Sequence, residues 1–235
     1  MLNALLFGLA ASSALVVGGV VGAFYSPPRN VIAVVLAFAS GALITALATD
    51  LFAESFETGG ALISGIGLLA GAAAFVVADA LLDRYIEGAG SNVSGFALLA
   101  AVILDGIPEN MALGVTLLQT SSTGALALLA AIFASNLPEA LGGAVSMRDQ
   151  GRSRAFAVAV WTATAVLLAL SVVAGNAVLA GASQETLSVL LAFAGGAVLA
   201  SLADTLMPDA YREGGPYVAF ATAAGFFVSF LLAEL

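Results

Sequence analysis

The chain has 235 residues, of which 61% are hydrophobic and only 9% are charged, and its formal net charge is −9. Soluble domains carry roughly 25% charged residues, so the composition excludes a soluble globular domain and predicts an all-α protein embedded in a lipid bilayer. The few scattered basic residues argue against nucleic acid as a partner. The absence of cysteine and histidine excludes disulfides, thiolate sites and imidazole metal ligands.

Eight apolar segments are long enough to cross a bilayer, which requires about 20 helical residues. The predicted spans 1 to 8 are residues 3–24, 31–53, 61–82, 94–118, 123–147, 154–180, 186–208 and 215–234. The first segment has no basic leader and is longer than the apolar core of a signal peptide, so it is expected to be a span. Turn-forming residues separate the segments and every loop is short, which predicts a single domain over residues 1–235.

Arginine distribution predicts the orientation of the chain in the membrane. Each arginine lies in or beside a loop that follows an odd-numbered span: Arg29, Arg84, Arg148, Arg152, Arg154 and Arg212. Basic loops are retained in the cytoplasm, so both termini are expected to be extracytoplasmic. The expected location is the plasma membrane of a prokaryote.

A sequence repeat places a Pro-Glu pair in each of two neighbouring spans. Residues 98–115 read LLAAVILDGIPENMALGV and residues 128–145 read LLAAIFASNLPEALGGAV. Proline breaks the helical hydrogen-bond ladder, and an acid at the bilayer centre costs about 3 kcal/mol on insertion scales. Two such costs at matched positions predict that spans 4 and 5 are proline-kinked at the centre, around a shared polar site.

A second repeat relates spans 2 and 7. Residues 38–60 read FASGALITALATDLFAESFETGG and residues 193–215 read FAGGAVLASLADTLMPDAYREGG. Spans 2 and 7 cross in opposite directions, as do spans 4 and 5. The sequence therefore predicts two inverted halves, spans 1–4 and spans 5–8. Inverted repeats with discontinuous helices at the midplane are a transporter design.

Spacing brings the polar residues of spans 4 and 5 onto common helix faces. Asp105 and Glu109 are four residues apart and share one face, and Ser135 and Glu139 repeat that spacing. With the two neighbouring amides, the predicted ligands of an all-oxygen cation site are Asp105, Glu109, Asn110, Ser135, Asn136 and Glu139. The alternative is that the prolines and acids serve packing and neutral hydrogen bonding.

Four further acids are predicted to line a transport pathway on either side of this site. Asp50 and Glu54 lie at the outer end of span 2, and Asp204 and Asp209 lie at the inner end of span 7, with Asp204 the deeper of the two. If the halves are inverted, these carboxylates flank opposite mouths of one route. The alternative is that they are ordinary solvated helix ends.

These motifs resemble those of the ZIP (Zrt/Irt-like) family of divalent metal transporters, whose members have eight helices, outside termini and metal-binding His-Asn-x-Pro-Glu-Gly-type motifs on helices 4 and 5. The corresponding stretches are residues 105–110, DGIPEN, and residues 135–140, SNLPEA, and residues 196–209 of span 7 also look like the family's. The resemblance implies Zn²⁺, Mn²⁺ or Fe²⁺ as the transported substrate. It also implies an elevator-like motion of helices 1, 4, 5 and 6 against helices 2, 3, 7 and 8, and in many members a homodimer.

The sequence departs from the family pattern at the metal-binding positions. Asp105 and Ser135 stand where the family has histidines, Gly106 follows the first of them in place of asparagine, and span 6 has no acid for a second metal. The resemblance therefore implies one metal site, centred on Glu109 and Glu139.

Three functions are compatible with the sequence. The first is a carrier of divalent cations, which is not an enzyme. The second is a transport-inactive scaffold or sensor with a ZIP-like fold. The third is an intramembrane acid-dependent hydrolase that pairs Asp105 with Asp79 or Asp204, although no protease motif surrounds these acids.

Overall fold

A computed structural model describes residues 1–89, 94–119 and 125–234 as a bundle of helices, and these residues contain no strand. The α-helices are α1 (Leu2–Phe24), α2 (Arg29–Ala46), α3 (Glu54–Ala89), α4 (Ser94–Gln119), α5 (Leu126–Asp149), α6 (Arg154–Val178), α7 (Gln184–Ser201), α8 (Met207–Gly214) and α9 (Val218–Ala233). Two π-helical segments, π1 (Leu47–Ala53) and π2 (Leu202–Leu206), join α2 to α3 and α7 to α8. The all-α class predicted from the sequence is confirmed for this part of the chain.

Among the described residues, five stretches of helix are long and apolar enough to cross a membrane: Leu2–Phe24, Arg29–Arg84, Leu126–Asp149, Arg154–Val178 and Gln184–Gly214. Helix α9 is apolar but shorter. Each predicted span overlaps a helix, although residues 123 and 124 of span 5 lie outside the described residues. The number of membrane crossings stays a prediction.

The outer surface of the bundle is apolar, as expected of an α-helical membrane protein. Large apolar side chains on three peripheral helices are almost fully exposed, among them Leu62 and Leu69 on α3, Val178 at the end of α6 and Phe220 on α9. An aqueous protein rarely exposes apolar patches of this extent. These surfaces are suited to lipid.

Two glycines with positive φ end the repeated segments of spans 2 and 7. Gly60 has a φ of 69° and breaks α3 into two helical parts, and Gly215 has a φ of 67° directly after α8. Glycine adopts such angles at no steric cost because it lacks a Cβ. Each repeated segment therefore ends in a turn, at Gly60 in the first and at Gly215 in the second.

Helices α2 and α9 touch through their backbones at two glycines. A Cβ added at Gly41 would overlap the carbonyl oxygen of Thr222, and a Cβ added at Gly225 would overlap the carbonyl oxygen of Phe38. Small residues at both crossings therefore permit an approach that side chains would prevent, as is common between membrane helices.

Helices α3 and α7 repeat this arrangement. A Cβ at Gly196 would overlap the carbonyl oxygen of Leu68, and one at Gly71 would overlap that of Phe193. The two residues that α7 contributes stand at the same places in the second repeated segment as those that α2 contributes in the first. The α2–α9 and α3–α7 contacts are therefore built alike.

Two glycines on α3 give a test of this packing. We expect Gly71→Ala to destabilise the protein by about 1–3 kcal/mol, since overpacking forces a backbone shift. Gly65→Ala is the matched control, because a Cβ there meets nothing within 4 Å and alanine favours a helix. Thermal unfolding of the detergent-purified variants checks both. Equal stability of the two variants would contradict the tight α3–α7 contact.

Helices α4 and α5 occupy the middle of the bundle. Helix α5 packs against α1 and α2, while α4 packs against α6 and α7. Pro108 lies inside α4 and Pro138 inside α5, and each helix continues through its proline. The predicted kinks at these residues stay predictions, whereas the π-helical segments beside them were not predicted.

Most of the arginines lie at one end of the bundle. Arg148 donates a hydrogen bond from Nη1 to the carbonyl oxygen of Gly22 at 3.1 Å, and the guanidinium of Arg154 lies 5.2 Å from the ring centroid of Phe24. Both contacts are with the last turn of α1. Arg29, at the start of α2, pairs with Glu213 at 3.5 Å. The loops after α1, α5 and α8 therefore share an end.

Candidate cation site

A small cavity lies where α4 and α5 meet α2, α7 and π2. Its volume is about 10 Å³, close to the smallest cavity that can hold one water molecule. The side chains that line it are Leu43, Asp105, Glu109, Ser135, Glu139, Val198, Ser201, Leu202 and Leu206. Four of the six predicted ligands thus share one enclosed space, and Ser201 and four apolar side chains form the rest of the wall.

Helix periodicity explains how these side chains converge. Asp105 and Glu109 are one turn apart on α4, and Ser135 and Glu139 are one turn apart on α5, so each pair presents one face to the cavity. The Pro-Glu repeat places the two faces at matching heights on helices that pack against each other.

Glu109 is the most enclosed acid of the cavity. This residue is 5% exposed, and its Oε1 atom is buried without a hydrogen-bond partner in the described structure. A buried polar atom without a partner costs free energy. Because this oxygen belongs to a side chain that lines the cavity, a cation held there would supply the missing interaction.

The hydroxyls of the cavity have defined roles. Ser135 is 3% exposed and donates to the carbonyl oxygen of Ile132 at 3.0 Å, which leaves its oxygen lone pairs able to accept. Ser201 donates from Oγ to Oδ2 of Asp105 at 2.5 Å. Sequence reasoning missed Ser201. Its only signal was a hydroxyl in the otherwise apolar middle of span 7.

Three carboxylates around one small cavity create a strong preference for positive charge. When ionised, Asp105, Glu109 and Glu139 repel each other, and an enclosed environment screens that repulsion weakly. No arginine is among the described residues that line the cavity. The arrangement therefore favours a cation of small radius and high charge.

As positioned, the described residues contain no group of three or more Asp, Glu, His or Cys side chains with the geometry of a metal centre. The three carboxylates line the same cavity, but they are not close enough together to bind one ion at the same time. A cation in this arrangement would be held by fewer carboxylates, together with hydroxyl oxygens and water. Such incomplete coordination is weaker than that of a structural metal site.

Asn110 and Asn136 are not among the residues that line the cavity. Both are buried, and Asn110 donates from Nδ2 to the carbonyl oxygen of Gly106 at 2.8 Å. This bond satisfies a backbone acceptor within the proline-containing turn of α4. Their role as cation ligands stays a prediction.

The pathway acids of span 2 lie in or beside π1. Asp50 is partly buried, accepts a hydrogen bond from Thr49 at 2.8 Å through Oδ1, and has an Oδ2 that is buried without a partner in the described structure. Glu54 is the first residue of α3 and is partly buried. Asp50 is thus not a solvated helix end, and the pathway role of both acids stays a prediction.

The pathway acids of span 7 differ from each other. Asp209 is half-buried and pairs with Arg212 at 2.9 Å. Asp204 is exposed at its place in π2, and its depth in the membrane relative to Asp209 stays a prediction. It lies two residues from both Leu202 and Leu206, and so on the opposite side of the helix from these two cavity-lining residues. The pathway role of both acids stays a prediction.

Comparison of the sequence with known proteins found no matching family model and no matching curated protein.

Proposed function

We propose that the chain transports divalent metal cations across a membrane, with Asp105, Glu109, Ser135 and Glu139 as the binding site. The observation that carries the proposal is the small cavity in the centre of the bundle, lined by three carboxylates from two neighbouring helices. One of these acids, Glu109, has a buried oxygen without a partner. Intramembrane acids are costly and typically mark ion pathways.

The similarity of two sets of helix contacts supports a transport motion in which helices move around a single metal site. The glycine contacts of α2 with α9 and of α3 with α7 are alike, each repeated segment ends in a glycine of positive φ, and each contains a π-helical segment. We infer that two inverted halves enclose the site in eight membrane spans. In that design, rocking one set of helices against the other alternately opens a midplane site to each side.

The resemblance to the ZIP family extends this proposal. It suggests an elevator-like motion of α1, α4, α5 and α6 against the remaining helices, a homodimer, and a single cation position between Glu109 and Glu139. The helix contacts are compatible with that grouping, because α1 packs on α5 and α6 and α4 packs on α6. The proposed location is a prokaryotic plasma membrane.

The donor atoms indicate which cations fit. Carboxylate and hydroxyl oxygens suit Mn²⁺ and Fe²⁺, whereas nitrogen and sulfur ligands favour softer ions. Zn²⁺ also accepts carboxylates. We therefore propose Mn²⁺ or Fe²⁺ as the preferred substrate and Zn²⁺ as a competitor.

One observation favours a second candidate, a transport-inactive scaffold or sensor. The described carboxylates do not form a group of three with metal-centre geometry. A protein that retained the helix packing but no longer bound or transported a metal ion would have this property. Cation binding by the purified protein separates the two candidates, because the scaffold would not bind Mn²⁺ at these acids.

Uptake into proteoliposomes tests the proposal. Purified protein in liposomes is expected to accumulate Mn²⁺ under an inward gradient, and Fe²⁺, Zn²⁺, Co²⁺ and Cd²⁺ are tested as competitors. Protein-free liposomes give the leak rate. Uptake equal to that leak for every ion would reject transport.

Cysteine labelling tests the proposed orientation, since the chain has no cysteine of its own. We expect Gly181→Cys, between α6 and α7, to react in intact cells with an impermeant maleimide. Ser153→Cys, in the arginine-rich loop before α6, is expected to react only after permeabilisation, because basic loops stay in the cytoplasm. Both positions are exposed. Labelling of Ser153→Cys from outside would invert the topology.

A further inference from the structure

Ser201 is the hydroxyl that α7 contributes to the cavity. It is the last residue of α7, is 2% exposed, and donates to Oδ2 of Asp105 on α4 at 2.5 Å. This bond joins two helices that the proposed transport motion separates. The inference drawn from it rests on the proposed function.

The hydroxyl of Ser201 is directed by the surrounding structure. Serines in helices commonly bond back to the carbonyl oxygen four residues earlier, as Ser40 and Ser171 do here. Ser201 donates to Asp105, while its own carbonyl oxygen accepts from Thr205 Oγ1 at 2.7 Å within π2. The bond is therefore a tertiary contact, held at the junction between α7 and π2.

The hydrogen bond changes what Asp105 can offer to a cation. An Oδ2 that already accepts a hydrogen bond from a hydroxyl has one lone pair left and less negative charge to offer, so it is a poorer second ligand and one-oxygen ligation is favoured. Ca²⁺ takes six to eight oxygen ligands at 2.3–2.6 Å and often uses bidentate carboxylates. Smaller ions need fewer ligands. We propose that Ser201 is a specificity-determining residue that biases Asp105 toward one-oxygen ligation and thereby favours Mn²⁺ over Ca²⁺.

The repeat indicates that helix packing alone does not require this hydroxyl. At the same place in the first repeated segment, α2 carries Ala46, which is fully buried. On α5, the place of Asp105 is taken by Ser135. The hydroxyl–carboxylate pair thus occurs in one half only, where a carboxylate is available to be restricted. A small apolar residue fills the equivalent position, so Ser201→Ala is expected to fold.

Competition between the two ions tests the proposal in reconstituted, full-length protein. Mn²⁺ uptake is measured against rising Ca²⁺ for the wild type, Ser201→Ala and Ser201→Thr. We expect Ser201→Ala to lower the ratio of the Ca²⁺ inhibition constant to the Mn²⁺ KM by about tenfold, an effect commonly seen for a hydrogen bond to a charged group. Ser201→Thr keeps the hydroxyl and is expected to keep the wild-type ratio.

Two further variants separate this role from a structural one. Ser229→Ala removes another buried serine hydroxyl, one without a partner in the described structure, and is expected to leave the ratio unchanged. In an Asp105→Asn background, Ser201→Ala is expected to add no further change, because Ser201 acts through Asp105. Additive effects of the two substitutions would overturn the proposal.

The outcomes distinguish this inference from the proposed function. Wild-type protein that imports no divalent cation refutes both. Wild-type Mn²⁺ uptake with an unchanged ratio in folded Ser201→Ala refutes only the role of Ser201. If Ser201→Ala does not fold, Ser201→Gly removes the same hydroxyl, and an unchanged ratio in folded Ser201→Gly refutes the role in the same way.

Discussion

Glu109→Gln and Glu139→Gln are each expected to abolish cation uptake while the protein remains folded. Glutamine keeps the shape of the side chain and removes the negative charge that balances the cation. Loss of one partner from a buried charged interaction costs about 2–5 kcal/mol, which corresponds to roughly 30-fold to several thousand-fold in affinity. Proteoliposome uptake of Mn²⁺ measures the loss.

The same substitutions are expected to leave thermal stability equal to the wild type or above it. Glu109 is buried, and its Oε1 has no partner in the described structure. Burial of an unpaired charge costs free energy. Removing that charge therefore stabilises the folded state when no cation is bound. A protein that is stable and inactive is the signature of a functional acid, whereas a structural acid would lose stability with its charge.

Glu185→Gln is the matched control, because Glu185 is an exposed acid in the first turn of α7. It is expected to transport normally. Glu109→Asp and Glu139→Asp retain the charge on a shorter side chain and are expected to keep partial uptake. Wild-type uptake by both glutamine variants would reject the proposed centre, whatever the protein transports.

The helices and the central acids were predictable because their signals are local. Long apolar segments are separated by turn residues, and the spacing of Asp105 and Glu109 on one helix and of Ser135 and Glu139 on the next fixes which side chains share a face. The repeat of the Pro-Glu pair also predicted that these two faces lie at the same height on neighbouring helices. These features need no knowledge of how distant helices pack.

Features that depend on tertiary packing were not predictable from the same signals. The face of α7 that meets Asp105 decides whether Ser201 enters the cavity, and that contact joins residues 96 positions apart in the chain. Helical periodicity places Ser201 with Val198 and Leu202 on one face and Asp204 on the side opposite Leu202, but it does not show which of these faces meets α4. The sequence also did not predict that the amide of Asn110 would donate a hydrogen bond to the backbone of its own helix.

Restoring imidazole at the two positions where the ZIP family has histidine is expected to shift selectivity. Asp105→His combined with Ser135→His should favour Zn²⁺ over Mn²⁺ by about tenfold or more, because nitrogen ligands suit zinc better than they suit manganese. Both positions line the cavity. Competitive uptake of the two ions gives the ratio.

Absolute affinity is expected to fall in this double variant even as the ratio rises. Asp105→His removes a negative charge and the acceptor of the Ser201 hydroxyl, and a ring at Ser135 enters a cavity of about 10 Å³. Leu202 and Leu206 must then move. Asp105→Asn combined with Ser135→Ala is the control, because it removes the same negative charge and the same hydroxyl and adds no imidazole. Only the histidine pair should raise the Zn²⁺/Mn²⁺ ratio. An unchanged ratio in a histidine variant that folds and transports would show that neither position contacts the ion, even if Glu109 and Glu139 proved essential.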